Sequence, residues 1–213
     1  LLLEGAHRPK TFALPGFRAL LLYPMNALVS DQLARLRRLF GDERLARLFA
    51  DRYGRIPRFG MYTSRTPYPG RRTSDKDQRN MRPILKYYVG LEQDDPNAAA
   101  EDALARATLV RELKARGRWP AKDLVHFLGE EKGKWDQRLK THPQDRELLM
   151  RHEMQNRCPD ILVTNYSMLE YMLLRPIERS IFKQTAEWLA SDRRNSFVLV
   201  LDEAHMYRGT AGA

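Results

Sequence analysis

The sequence predicts a parallel α/β sheet flanked by helices and interrupted by a mostly helical stretch. Three observations point there. Apolar runs of strand length recur at residues 18–23, 58–63, 161–164 and 197–201. The first and third lead straight into helical spacing, which is the alternation of a parallel sheet. The stretch 71–158 between the second and third runs is charged and mostly helical in pattern, so it reads as an insertion.

The run 18–23 ends at Pro24, too short for a helix, and Met25, Leu28, Val29, Leu33, Leu36 and Leu39 follow at helical spacing. Residues 42–53 repeat that pattern with Leu45, Leu48 and Phe49. Residues 58–63 then form a second strand before Pro67, Pro69 and Gly70 break the chain. Within the insertion, 98–117, 121–139 and 144–155 are candidate helices. Leu104, Leu109, Val110, Leu113, Leu124, Val125, Phe127 and Leu128 supply a small core, and 93–97 reads as an exposed turn. After the strand 161–164, Ser167 and Glu170 match a capping box that opens the next helix. Residues 197–201 are continuously apolar, as expected of a strand covered on both faces. The resulting division is 1–70, 71–158 and 159–213.

Composition bounds the function. In 213 residues, 43% hydrophobic and 30% charged, there is apolar mass for a core, which argues against wholesale disorder. No apolar run approaches the ~20 residues of a membrane-spanning helix, so a soluble chain with no membrane partner is expected. A lone Cys158 forms no internal disulfide, and His126, His142, His152 and Cys158 match no closed zinc spacing; a reducing cytoplasm fits. The net charge of +10 divides as +7 in 1–70, +4 in 71–158 and −1 in 159–213. The basic residues from 35 to 65 are all arginine, the side chain suited to bidentate phosphate contacts, although solvated helix faces would carry the same charge.

The most informative segment is Val198-Leu199-Val200-Leu201-Asp202-Glu203-Ala204-His205, an apolar strand delivering two adjacent carboxylates at its carboxyl end, where open α/β sheets bind ligands. Asp202 there can hold Mg²⁺ through water, and Glu203 can accept a proton from, or orient, a water attacking a phosphate. The plainer reading is a strand ending in a polar turn.

At these residues the chain resembles the superfamily 2 DEAD/DEAH-box helicases, whose motif II is such a strand plus Asp-Glu-Ala-His. The extension through Met206-Tyr207-Arg208-Gly209 looks most like YprA-like helicases. In the same order, Leu21 to Leu28 with Asp31-Gln32 resembles motif Ia, Gly60 to Pro67 sits where motif Ib is expected, and Pro159 to Leu169 resembles motif Ic. The resemblance covers 17–70 and 159–213 and implies the first RecA-like domain of an ATP-dependent helicase or translocase. ATP and Mg²⁺ are the implied cofactors, and Glu203, Asp202 and His205 the implied catalytic group. His205 would couple the nucleotide to the strand-binding side. Motifs Ia, Ib and Ic would grip the backbone of one DNA or RNA strand, DNA by preference, through Pro24, Asn26, Gln32, Thr63, Ser64, Arg65, Thr164, Asn165 and Ser167. Helix starts near Asn26 and Asn165 to Ser167 offer free N–H groups for phosphates, with Thr63, Ser64 and Thr66 adding hydroxyls; capping by Asn26 and Ser167 is the structural alternative.

No Gly-x-x-x-x-Gly-Lys-Ser/Thr loop occurs, and residues 129–134 have one residue too few between the glycines. The chain opens without Met and stops after motif II. It is therefore expected to be an excerpt, inactive alone, whose parent supplies the phosphate loop and a second RecA-like domain. Residues 71–158 match nothing in the family. Trp119, Trp135, Tyr87 and Tyr88 could stack on bases or form a subdomain core, and a surface for a protein partner fits equally. The alternative overall is a non-catalytic nucleic-acid-binding or scaffold module on the same fold.

Overall fold

The computed structural model describes residues 1–67, 71–92, 99–131, 134–135 and 139–207, with backbone alone at 130, 131, 134, 135, 206 and 207. Two short helices, α1 (Leu2–His7) and α2 (Pro9–Phe12), lead into β1 (Ala19–Tyr23), α3 (Asn26–Phe40), α4 (Glu43–Tyr53) and β2 (Phe59–Tyr62). Asp42 caps α4 by accepting the Arg44 amide at 2.8 Å, and Gly54, at φ 72°, ends it in the left-handed conformation that glycine adopts without cost. The middle of the chain forms α5 (Ser74–Lys76), a π-helical turn (Asp77–Met81), α6 (Arg82–Glu92), α7 (Ala100–Ala115) and α8 (Leu124–Leu128). A two-stranded ladder of β3 (Glu130–Glu131) and β4 (Lys134–Trp135) follows, then β5 (Glu147–Leu148) and α9 (Arg151–Asn156). The chain closes with β6 (Ile161–Asn165), α10 (Tyr166–Leu174), α11 (Arg179–Ala190) and β7 (Val198–Leu201).

The main sheet has five parallel strands in the order β5-β2-β6-β1-β7, an α/β fold consistent with a RecA-like arrangement. Side chains alternate across it. Leu20, Leu162 and Tyr62 fall on one face with Met154 of α9, Met172 of α10 and Ile181 of α11. Leu21, Val163 and Phe59 fall on the other, under Val29, Leu33, Leu36 and Phe40 of α3. Register levels the carboxyl ends: Leu22 pairs with Thr164 on one side and Leu201 on the other, and Thr164 with Tyr62.

Several expectations change. Residues 144–155 are not one helix, because Glu147 and Leu148 extend the sheet beside β2. Glu147 is held there by a two-pronged bond to Arg37 of α3 (2.8 and 2.7 Å) and by the Ala121 amide at 2.9 Å. Leu148, Met154 and Cys158 belong to the core under the sheet, so the end of 71–158 is built into the α/β unit. The helix expected over 121–139 spans only Leu124–Leu128, since Gly129 turns left-handed at φ 64°. The middle segment packs around Met81, Leu85, Val89, Trp119, Leu124, Phe127, Leu128, Leu139 and Met150. Leu104, Leu109 and Val125 stay exposed. Trp119 is core, Tyr88 packs edge-on against it at 5.1 Å and Tyr87 is exposed, while the side chain of Trp135 lies outside the described residues.

β7 also departs from expectation. All of its residues are at least 40% exposed: β7 pairs with β1 alone, and the described residues leave both of its faces largely uncovered. The cover expected on both faces is therefore not supplied by the described residues. No helix among the described residues is long and apolar enough to cross a membrane.

Candidate functional site

Three neighbouring strands, β2, β6 and β1, end level, and each hands the chain to a turn or helix start at the same edge of the sheet. After β1, α3 begins at Asn26 with no side chain capping it, so its first amides are free of side-chain acceptors. After β6, α10 begins at Tyr166, and its cap is Asn165, whose Oδ1 accepts the Met168 amide at 2.8 Å. This corrects the expected box: Ser167 lies inside the helix, exposed, and does not open it. Asn165 captures the position because its short amide reaches the amide three residues on.

The asparagines meet. Asn165 Nδ2 donates to Asn26 Oδ1 at 2.7 Å, and Asn26 Nδ2 reaches Ser64 Oγ at 3.5 Å. Helix starts thus join the turn after β2 in one row of amide and hydroxyl groups. Asn26 is occupied in this row instead of capping its own helix.

The turn after β2 is self-contained. The Thr63 amide donates to Thr66 Oγ1 (2.8 Å), the Thr66 hydroxyl to the Met61 carbonyl (2.7 Å), and the Arg65 amide to Thr63 Oγ1 (3.1 Å). Thr63 and Thr66 are buried, and Ser64 and Arg65 form the exposed tip. Thr164 is buried too, its hydroxyl donating to the Tyr62 carbonyl at 2.6 Å. The hydroxyls expected from Thr63 and Thr66, and the strand contact expected from Thr164, are therefore corrected: these hydroxyls bond backbone atoms inside the fold. Pro24 and Gln32 are partly exposed, at the entry to α3 and on its second turn.

Sequence reasoning missed Arg151. It starts α9, is nearly buried, donates Nη2 to the Thr63 carbonyl at 2.8 Å and lies over the Tyr62 ring at 5.0 Å. Tyr62 in turn donates its phenol to the buried Glu178 at 2.9 Å. Burial above all, with Glu178 beside it, pushes the Tyr62 phenol far above its ordinary value, so it remains a donor. No local motif announces a contact between residues this far apart.

β7 ends beside the same row. The Asp202 amide donates to the Leu22 carbonyl at 3.0 Å, which fixes Asp202 at the strand tip next to Tyr23. Burial and the negative charge of Asp202 raise the Tyr23 phenol, against the opposing charge of Arg35. Asp202 is half-buried, with no carboxylate hydrogen bond among the described residues, whereas Glu203 and His205 are exposed and meet through Oε2 and Nδ1 at 3.3 Å. Glu203 has φ 51°, a conformation a non-glycine residue adopts at a cost of about 1 kcal/mol or more. That turn aims consecutive carboxylates differently. An Asp oxygen free of protein partners suits a hydrated hard cation, so this strand end fits Mg²⁺ held through water. The phosphate-binding loop that a nucleotide requires is not in this sequence.

The His residues and Cys158 take other roles. His126 and His142 meet edge to face at 4.8 Å, and His152 Nε2 lies 3.4 Å from Arg72. Cys158 is buried, which pushes its thiol up to about 12 and disfavours the thiolate.

No family model and no solved structure matches the chain. The sequence is 53% identical over its whole length to Druantia protein DruE of Escherichia coli (strain UMEA 4076-1), and it spans 12% of that protein's length. All 213 residues are therefore similar to one segment of a much longer protein.

Proposed function

We propose that this chain is the strand-gripping and hydrolytic half of a RecA-like domain in an ATP-dependent nucleic-acid helicase or translocase, with a DNA strand the favoured substrate. The observation that carries this reading is the row Ser64–Asn26–Asn165 across three level strand ends, with Asp202 and Glu203 at the end of the strand beside them. A row of amide and hydroxyl groups of this kind would meet a sugar-phosphate backbone and read phosphates without reading bases. The uncapped start of α3 adds free amides and the positive end of its dipole, and Arg65 adds charge at the turn tip.

Mg-ATP, when bound, supplies the phosphoryl bond whose cleavage drives movement. Asp202 would hold the hydrated cation, and Glu203 would orient the attacking water and take its proton. His205, already paired to Glu203, would link that carboxylate to the turn that follows. The phosphate loop and second domain would come from the longer protein.

A fluorescent single-stranded oligonucleotide titrated at two salt concentrations tests the grip. Weak, sequence-independent binding that falls with salt is expected, as counterion release requires. Affinity indifferent to salt, or unchanged by Arg65→Gln together with Asn26→Ala, overturns the assignment of this edge.

A further inference from the structure

The opposite edge of the sheet holds a second basic site. Because the strands are parallel, their amino ends gather there. Arg58 precedes β2 and Asp160 precedes β6, and they border a cavity of about 310 Å³ also lined by Arg55, Arg157 and Gln144. Asp160 is fully engaged. It takes both Arg55 guanidinium nitrogens at 2.8 and 2.6 Å and the Arg58 amide at 2.8 Å, and lies 3.4 Å from Arg18. Arg58 and Arg157 have no carboxylate partner among the described residues. Arg58 spends Nε and Nη2 on the carbonyls of Asp145, His142 and Pro143, and Arg157 spends Nη2 on that of Ala13. Carbonyls accept hydrogen bonds but cancel no charge. Among the described residues, Nη1 of Arg58, and Nε and Nη1 of Arg157, have no acceptor.

We propose that this cavity is an anion site for a phosphate group, gripped between Arg58 and Arg157, with Arg55 and Asp160 as its fixed floor. Guanidinium forks match phosphate oxygens, and the cavity has room for the rest of a small phosphorylated molecule. Burial above all lowers the proton affinity of both, helped at Arg58 by the charge of Arg157 against Asp145 and Asp160, and at Arg157 by the charge of Arg55 against Asp160; an anion in the cavity would oppose that lowering. Neither the grip at the carboxyl edge nor the carboxylates of β7 are involved, so the site stands whether or not the helicase reading does.

Inorganic phosphate is titrated calorimetrically into the protein at constant ionic strength. Saturable binding is expected, weakened about tenfold or more by Arg157→Gln and largely kept by Arg157→Lys and by Arg65→Gln at the far edge. Should Arg157→Gln fail to unfold cooperatively, Gln144→Glu places a negative charge at the exposed rim and is expected to cause the same loss. Displacement of phosphate by ribose 5-phosphate alone identifies a small phosphate monoester. Displacement by a dinucleotide lacking terminal phosphate identifies a nucleic-acid backbone. Absence of saturable binding, or binding untouched by the folded Arg157 and Gln144 variants, overturns the proposal.

Discussion

Arg151 donates a guanidinium hydrogen to the carbonyl of Thr63 at 2.8 Å, joining residues 88 apart in the sequence. The bond ties α9, from the middle segment, to the turn that carries Ser64 and Arg65. Arg151 is thus a positioning residue for the proposed grip, not a contact in it.

Arg151→Met is expected to weaken oligonucleotide binding several-fold and to lower stability by about 1–3 kcal/mol, the range for losing a buried charged hydrogen bond. Arg151→Lys keeps the charge and one donor and should recover part of both. Binding titrations and urea melts on both variants check this; unchanged affinity in a destabilised Met variant makes the contact merely structural.

Asn165 separates capping from gripping. Asn165→Asp keeps an N-cap acceptor for the Met168 amide but loses the donor to Asn26 and adds a negative charge. It should fold at near-parental stability and bind a strand less tightly, whereas Asn165→Ala should lose about 1 kcal/mol as well. If the Asp variant binds as the parent does, the row of asparagines does not face phosphates.

Where local pattern decided the outcome, the sequence was readable. Pro24 ends β1, the helical pattern over 42–53 becomes α4, and continuous apolar runs supply both sheet faces. The level ends of β1, β6 and β2 bring Asn165, Asn26 and Ser64 together at one end of the sheet. What stayed hidden was non-local. A two-residue strand such as Glu147–Leu148 carries no periodicity and is recruited by Arg37, 110 residues away. The buried roles of Thr63 and Thr164 depend on carbonyls of β2 that only the folded turn presents. The place of β7 at the end of the strand order, beside β1, is likewise not encoded in composition.

Removing residues 72–155 is expected to abolish cooperative unfolding, because the cut takes β5, most of α9 and the core residues Leu148 and Met154. Glu147→Ala is the finer probe. It leaves Arg37 without its carboxylate and the Ala121 amide without its acceptor, at a cost of about 3–5 kcal/mol. A deletion protein that melts as sharply as the parent would show that the sheet closes without its β5 edge.

Asp160 sets an acid limit. Burial alone would raise its carboxyl, but the charge and hydrogen bonds of Arg55, then the charge of Arg18 and the Arg58 amide, hold it below the usual carboxylate range. The unfolded chain, with a pKa of about 3.9, then binds the proton more readily than the folded one. The stabilisation is complete above about pH 4 and disappears as pH falls through the folded value. Asp160→Asn should lower stability at pH 7 by about 3–5 kcal/mol and flatten the acid limb of a stability-against-pH curve. An acid limb of unchanged steepness in the Asn variant would assign it to other carboxylates.

In a longer protein that carries the phosphate loop, Glu203 and Asp202 should fail differently. Glu203→Gln keeps shape but cannot accept a proton, so nucleotide binding should persist while turnover falls by about 10²-fold or more. Asp202→Ala removes the carboxylate proposed to hold the cation's water shell. Nucleotide affinity and turnover should then both drop, and added Mg²⁺ should restore part of the affinity. The left-handed backbone at Glu203 gives a further handle. Glu203→Gly relaxes that conformation and also deletes the carboxylate, so it should raise stability slightly while abolishing turnover. Nucleotide binding and strand-stimulated ATP hydrolysis on all three variants decide the matter, because near-parental hydrolysis by Glu203→Gln would remove this carboxylate from the reaction and with it the hydrolytic role of the β7 strand end.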